Sequence, residues 1–572
     1  MSISDELAKA RRMALAADEA GARDLLLSLI PRIEREDRDD FMVEALAQLG
    51  EIYLARGAYD GVRESVRRIR DCVAIYAGIV AGDERVRLSG AEITLMIRRY
   101  SRRAQFLQTG LAAALGDHDG AAAELGRLCD NDSGSEPGEL TDEHRYLCTL
   151  AHVLCATALC DDDLHVRSVP LWQNVLDGLE HTGGGAERSD YLWVAAATGY
   201  GRFCVETGRL SEAEPWLRRA EARARTNGWE LATARAQLER AAARWGANDH
   251  AGTEELVGQA YPVIARHDRA HDVARCWLYM GLTRLAAGAL EAADECWEHA
   301  ERHWRELGKP LPLHRILLQR SWIAIFWSHF SDAVELIAQA RELLDSSPRS
   351  SWLQYAQLDN HLGTVWRADA LADLGFDSSG DPDETLQETE ARQAEGLGVL
   401  RGEVGTPEYW RGMAKLEQAA ELKVPAALAV DSVRYSIADA DARARWATGI
   451  SAPILAGAFA VAWEWENTTL ISELVEYHSA RGTFEGLQRP RLGEWASTAL
   501  ASVPVDADAE PAALSAAGPS VSAGASLTRL GPLPPLRMQP GAAPILSHYR
   551  ALALQRYGRE VTAAEPAWCT WP

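Results

Sequence analysis

Three arginines, Arg235, Arg275 and Arg315, recur at a spacing of 40 residues. A guanidinium presents a planar fork of donors that matches a carboxylate, so arginines stacked along one surface suit an acidic peptide or a free C-terminal carboxylate. Trp245 and Trp322 fall on the same helical face and would supply aromatic anchors beside them. In the preceding copy of the pattern Ala195 takes the arginine's place, and Arg202 follows two turns further along the same helix. The competing reading is structural, with each arginine pairing to a glutamate on a neighbouring helix.

Other chemistry is sparse. The sequence contains no GxxxxGK phosphate loop, no GxSxG elbow and no HExxH pair. The nine cysteines (Cys72, Cys129, Cys148, Cys155, Cys160, Cys204, Cys276, Cys296 and Cys569) include no CxxC pair, and most lie in apolar helical stretches. Cys148, Cys155 and Cys160 read either as metal ligands or as small reduced core residues, and the second reading is preferred. His267 and His271 have i, i+4 spacing but lack an accompanying carboxylate motif suited to zinc. Glu464 and Glu466 read as solvated. Neither catalytic residues, nor a metal, nor a cofactor is expected.

The elements that would position the arginines are repeats. Tyr200-Gly201, Gly208 and Leu210 precede SEAEPWLRRAE, and Met280-Gly281, Gly288 and Leu290 precede EAADECWEHAE. Weaker copies fall between and after them. A small residue recurs at 213, 253, 293 and 333, a large apolar one at 217, 257, 297 and 337, and alanine at 220, 260, 300 and 340. This pattern resembles a tetratricopeptide repeat (TPR), lengthened from the usual period to 40. A further copy runs from Leu46 to Ile69, and a degenerate one surrounds Gly116, Ala121, Leu125 and Leu128. The expected fold is therefore all-α, a TPR-like right-handed superhelix.

Its expected divisions are an N-terminal helical region at 1–190, a regular array at 191–407 and a helical domain at 408–486. An acidic loop (375–395) interrupts the array. Residues 487–542, rich in Ala, Pro, Ser and Gly, read as a disordered linker. At 543–572 a short amphipathic helix carries Ile545, Tyr549, Leu552 and Tyr557 near one face, and Trp568 and Trp571 follow it. Such a tail either packs back on its own array or docks on another polypeptide.

A formal charge of −24 over 572 residues, with only Lys9, Lys309, Lys415 and Lys423 as lysines, disfavours nucleic acid and anionic membrane. The N-terminus has no apolar signal core, and no run of about 18 apolar residues stands out, so a soluble, cytoplasmic protein is expected.

The segment AVDSVRYSIADADARARWATGISAPILAGAFAVAWEWEN and the ending ILSHYRALALQRYGREVTAAEPAWCTWP resemble actinobacterial TPR proteins associated with CHAT domains, which are caspase-like proteases of bacterial conflict systems. The resemblance covers roughly residues 425–572. A CHAT protease carries a catalytic His and Cys on an α/β sheet; here Cys569 is the fourth-last residue of the sequence and no sheet is available. The resemblance therefore implies a non-catalytic sensor or scaffold that acts on a protease borne by another polypeptide. The expected function is a protein–protein interaction scaffold that binds a peptide or protein in its groove and regulates a partner effector. A TPR regulator sensing a small molecule or signalling peptide is the alternative.

Overall fold

A computed structural model of the protein describes residues 2–82, 89–130, 138–162, 164–180, 187–347, 350–375, 403–435, 443, 446–480, 532–539 and 541–569. The acidic loop, most of the Ala/Pro-rich stretch and Trp571 lie outside them. Among the described residues the regular structure is helical apart from one pair of two-residue strands, and successive helices pack as hairpins. The all-α, TPR-like repeat class expected from the sequence is the one found.

The array is built on a 20-residue unit. Seven helices of 17 residues start at 20-residue intervals: α10 (Leu210–Thr226), α11 (Glu230–Gly246), α12 (His250–Arg266), α13 (Ala270–Ala286), α14 (Leu290–Glu306), α15 (Pro310–Phe326) and α16 (Phe330–Ser346). Each follows a three-residue turn whose middle residue is left-handed: Gly208, Gly228, Asn248, Asp268, Gly288, Gly308 and Ser328. In most of these turns the next N–H returns to a carbonyl five residues back, as Arg209 does to Cys204 at 2.7 Å and His329 to Ala324 at 2.8 Å. This cap satisfies carbonyls the helix end leaves unpaired, and glycine fits it best because it has no Cβ. The same turn occurs at Ala17, Asp37 and Gly57, so the 20-residue beat begins near the N-terminus. Sequence similarity shows a period of 40 because alternate helices bury different faces.

The repeat positions interlock by size. A Cβ on Gly201 would come within 2.5 Å of Leu217, and one on Gly281 within 2.2 Å of the Trp297 indole. Where the large residue is β-branched, as Val257 or Ile337, the small one is Ala241 or Ser321, all four being buried.

The molecule divides into two compact units, Met1–Ala247 with Glu255–Arg269, and Asn248–Glu254 with Ala270–Pro572. In the first, α1 (Ile3–Leu15), α2 (Glu19–Glu36), α3 (Asp39–Ala55), α4 (Tyr59–Gly82), α5 (Gly90–Ala114), α6 (His118–Cys129), α7 (Gly138–Asp161), α8 (His165–Glu180) and α9 (Glu187–Glu206) precede α10 and α11. This unit closes on itself. Leu15 at the end of α1 packs with Val194, Ala224 and Trp229, and Arg269 pairs with Glu19 and donates to the Ala55 carbonyl at 3.0 Å.

The second unit continues from α16 into α17 (Trp352–Asp373), α18 (Pro407–Ser432), α19 (Ala452–Glu464) and α20 (Thr468–Ala480). Its tail, β1 (Leu536–Arg537), α21 (Ser547–Tyr557) and β2 (Trp568–Cys569), is packed against α17, α18 and α20 of the same polypeptide. Ile545, Leu546, Tyr549 and Tyr557 enter the core there. The Tyr557 hydroxyl donates to buried Asp359 at 2.7 Å, and the Leu546 N–H donates to Glu473 at 2.8 Å. Leu536, inside the stretch read as linker, is buried in the same core, and β1 pairs in parallel with β2.

Two smaller expectations change. The stretch Ala447–Glu464 has the length and apolar composition of a membrane crossing, although 44% of it is buried inside the protein. Glu464, read as solvated, is 1% exposed, and both of its oxygens accept from Arg367 of α17, one at 2.7 Å. Burying that carboxylate requires such a partner. Glu466 lies past the helix end in a left-handed, exposed position.

Candidate functional site

Among the described residues, a set of charged side chains, with Arg103 buried at its centre, lies on the face shared by the odd-numbered helices of the first unit. Helix α3 places Glu44, Gln48 and Glu51 on one side, since residues three and four apart stack on a helix. Helix α5 places Arg99 and Arg103 opposite them, α7 contributes Glu143 and Tyr146, and α9 contributes Arg188 and Tyr191. Arg103 reaches Glu44 at 2.6 Å and Glu51 at 2.5 Å, its side chain only 2% exposed. Arg11 of α1 takes the other Glu44 oxygen, to which Gln48 also donates at 2.7 Å. Arg99 holds Glu143 at 2.8 Å, and Arg188 stands 4.0 Å from that carboxylate.

Burial pushes the Glu44 carboxyl up, but Arg103, Arg11 and the hydrogen bonds from Gln48 and Arg103 outweigh it and hold the group at about 2. Each rung is thus an ion pair that exists because both partners are present; removing one from such a pair typically costs about 3–5 kcal/mol.

Past the rungs the same face continues with the half-buried Tyr146, Arg188 and Tyr191. The Arg188 guanidinium lies 5.7 Å above the half-buried Tyr146 ring. Tyr191 stacks edge-on to Trp229 at 5.6 Å. Burial raises the Tyr191 hydroxyl's pKa, with Arg235, Glu19, Arg269 and Glu51 all close enough to act on it. Glu51 and Arg188 likewise act on Tyr146. Arg188, Arg235, Tyr146 and Tyr191 therefore share one locality, and Arg235 is exposed there. Guanidinium and phenol groups on a rigid helical face are equipped to receive carboxylates and to stack on side chains.

The residues expected from the sequence are distributed differently. Arg235 belongs to the first unit, whereas Arg275 and Arg315 belong to the second. Arg275 is 8% exposed, between buried Ala274 and Cys276, so it is not offered on an open surface; Arg315 is half-buried. Trp245 is buried, and Trp322 packs edge-on to His361 at 4.5 Å. Arg202 is held between Asp161 and Glu206, at 2.7 Å from each. In the tail Leu552 packs against the core of its own unit, while Trp568 is half exposed.

Sequence reasoning does not single out Glu44, Glu51, Arg103 or Glu143. The available signal is charge inside an apolar run, as in RRAQFLQTGLAAAL around Arg103.

Among the described residues, Ser321 and His361 lie 2.6 Å apart, in the contact a nucleophile and its base would make. Both are buried, and burial together with Lys423 and His314 drives the imidazole down to about 3, which makes it a poor base at neutral pH. Also among the described residues, Cys160, His165 and Glu206 are disposed to hold a metal.

No family model matches this sequence, and no curated protein matches it. Among solved structures it is similar to one described as the crystal structure of the apo form of RapI, at 10% identity and a TM-score of 0.37, over 75% of this protein and 99% of that one.

Proposed function

We propose that the protein is a non-catalytic interaction module that holds an acidic peptide segment or a free C-terminal carboxylate on the odd-helix face of its first unit and, through that contact, regulates a partner effector. The observation that carries this reading is the Arg188 guanidinium 5.7 Å over the Tyr146 ring, with Tyr191 and Arg235 within electrostatic range and the ion pairs of Arg103 bracing the face. Arginine and tyrosine are the residue types that most often dominate binding energy at protein interfaces. The braced helices give them a rigid mounting, so little ordering entropy is lost on binding. Repeat arrays depend on stacking between neighbours for stability, which leaves their long faces available for partners.

The finer part of the proposal names the effector as a caspase-like protease of the CHAT type, and it rests on the phrases in the C-terminal third. Affinity purification of the tagged full-length protein from its host tests both parts. The expected result is one dominant partner, a protease on the finer reading, retained by wild type and by Arg67→Glu on the exposed face of α4. The variant carrying Arg188→Glu and Arg235→Glu should lose it at least tenfold. Equal retention by both variants would contradict the assignment of the face.

A further inference from the structure

We propose that Cys160, His165 and Glu206 form a zinc site in the first unit, at the junction of α7, α8 and α9. One ligand atom from each lies within 4.8 Å of the other two, and Cys160 and His165 are 3% and 2% exposed. The three residues arrive from separate elements: Cys160 from the last turn of α7, His165 from the first residue of α8, Glu206 from the last of α9. The site is not visible in the sequence because Glu206 stands 41 positions after the histidine, with no local spacing to announce it.

His165 Nε2 and Glu206 Oε2 face each other at 3.0 Å. Two lone pairs so disposed need a proton or a cation between them. Thiolate, imidazole and carboxylate together make a mixed S, N, O donor set suited to zinc. Around a tetrahedral zinc, ligand atoms sit about 3.3–3.6 Å apart, so the nitrogen–oxygen pair is nearly placed and the sulfur, within 4.8 Å of both, needs at most a small shift. The thiol now points to the Ser168 hydroxyl, 3.6 Å away, and burial raises its pKa.

The surroundings fit a bound cation. Arg202 donates from Nε to Glu206 Oε1 at 2.7 Å, which turns the other oxygen toward His165. Such outer hydrogen bonds orient metal-binding carboxylates. Asp161 pairs with the same guanidinium at 2.7 Å. With Cys160 as thiolate, the anions Cys160, Glu206 and Asp161 exceed Arg202 by two charges, and buried Glu239 adds to the negative field at that guanidinium, so the surroundings attract a divalent cation. Three protein ligands leave a fourth position for water.

The test uses the full-length protein, reduced, loaded with zinc and desalted, beside Cys160→Ser, His165→Gln and Cys155→Ser. Wild type and Cys155→Ser should each keep about one zinc per molecule and melt at higher temperature with zinc than with chelator. Cys160→Ser and His165→Gln should keep at least fivefold less, and their melting should be insensitive to zinc. Cobalt in place of zinc should give a thiolate-to-cobalt charge-transfer band that Cys160→Ser lacks and Cys155→Ser retains. Melting of all four proteins in chelator separates metal loss from misfolding. Zinc retention by Cys160→Ser equal to wild type, or no retention by wild type at micromolar zinc, would overturn the site.

Discussion

Glu44 shows how one residue's environment sets its contribution. Its carboxyl sits at about 2 in the folded protein, against an ordinary value of 4.5. A depressed pKa stabilises the fold above the unfolded value and loses that contribution as pH falls, here between about 5 and 2; a difference of that size corresponds to roughly 3 kcal/mol. Glu44→Gln should therefore unfold more readily in urea at pH 7 than wild type, with the gap narrowing as the pH approaches 3. A gap that stays constant across that range would show that Arg103 and Arg11 do not act on Glu44 as described. The arginine positions are legible as a pattern, since Arg235, Arg275 and Arg315 keep their spacing. Their burial is not. Spacing of 40 places residues in equivalent positions on successive hairpins, yet whether a guanidinium meets water depends on the neighbouring helices, and Arg275 is covered while Arg235 is open. Glu464 escapes a sequence reading for the same reason, because its partner Arg367 lies 97 residues earlier.

At the scale of the helix, the small-and-large pairing that announces the repeat also holds the hairpins together. The Trp297 indole N–H donates to the Leu278 carbonyl at 3.2 Å, with the ring filling the space that Gly281 leaves. Gly281→Ala should cost about 1–3 kcal/mol through this clash. In a Trp297→Val background, which imitates the Ala241 and Val257 repeat, the same change should cost under about 0.5 kcal/mol or stabilise, because alanine is the better helix former. Urea unfolding of the four proteins measures the coupling; an equal penalty in both backgrounds would refute the pairing. Helix order and repeat length can be read because six of the seven 17-residue helices run into a left-handed residue, which is glycine at 228, 288 and 308. The halving of the period to 20 is harder to see, since Asn248, Asp268 and Ser328 fill the same turn position without glycine's signal.

For the molecule as a whole, the sequence indicates helical repeats, a compositional break after residue 486 and an ordered ending. It leaves open where that ending goes. Ile545, Tyr549 and Tyr557 look alike from sequence whether they face a partner or their own core, and only the pocket formed by α17, α18 and α20 distinguishes the two. In this structure the tail is packed on its own unit, and the surface proposed for an external ligand is the odd-helix face of the first unit. That face is least legible of all, because its members come from α1, α3, α5, α7, α9 and α11 and no single stretch contains both partners of a rung. Titration of the full-length protein with fluorescent peptides ending in Asp or Glu runs, each with a free or an amidated C-terminus, tests it directly. The account predicts saturable binding that weakens as salt rises, falls at least tenfold in the Arg188→Glu and Arg235→Glu double variant, and is unchanged by Arg67→Glu. Binding that is absent, or that all three proteins share equally, would contradict it.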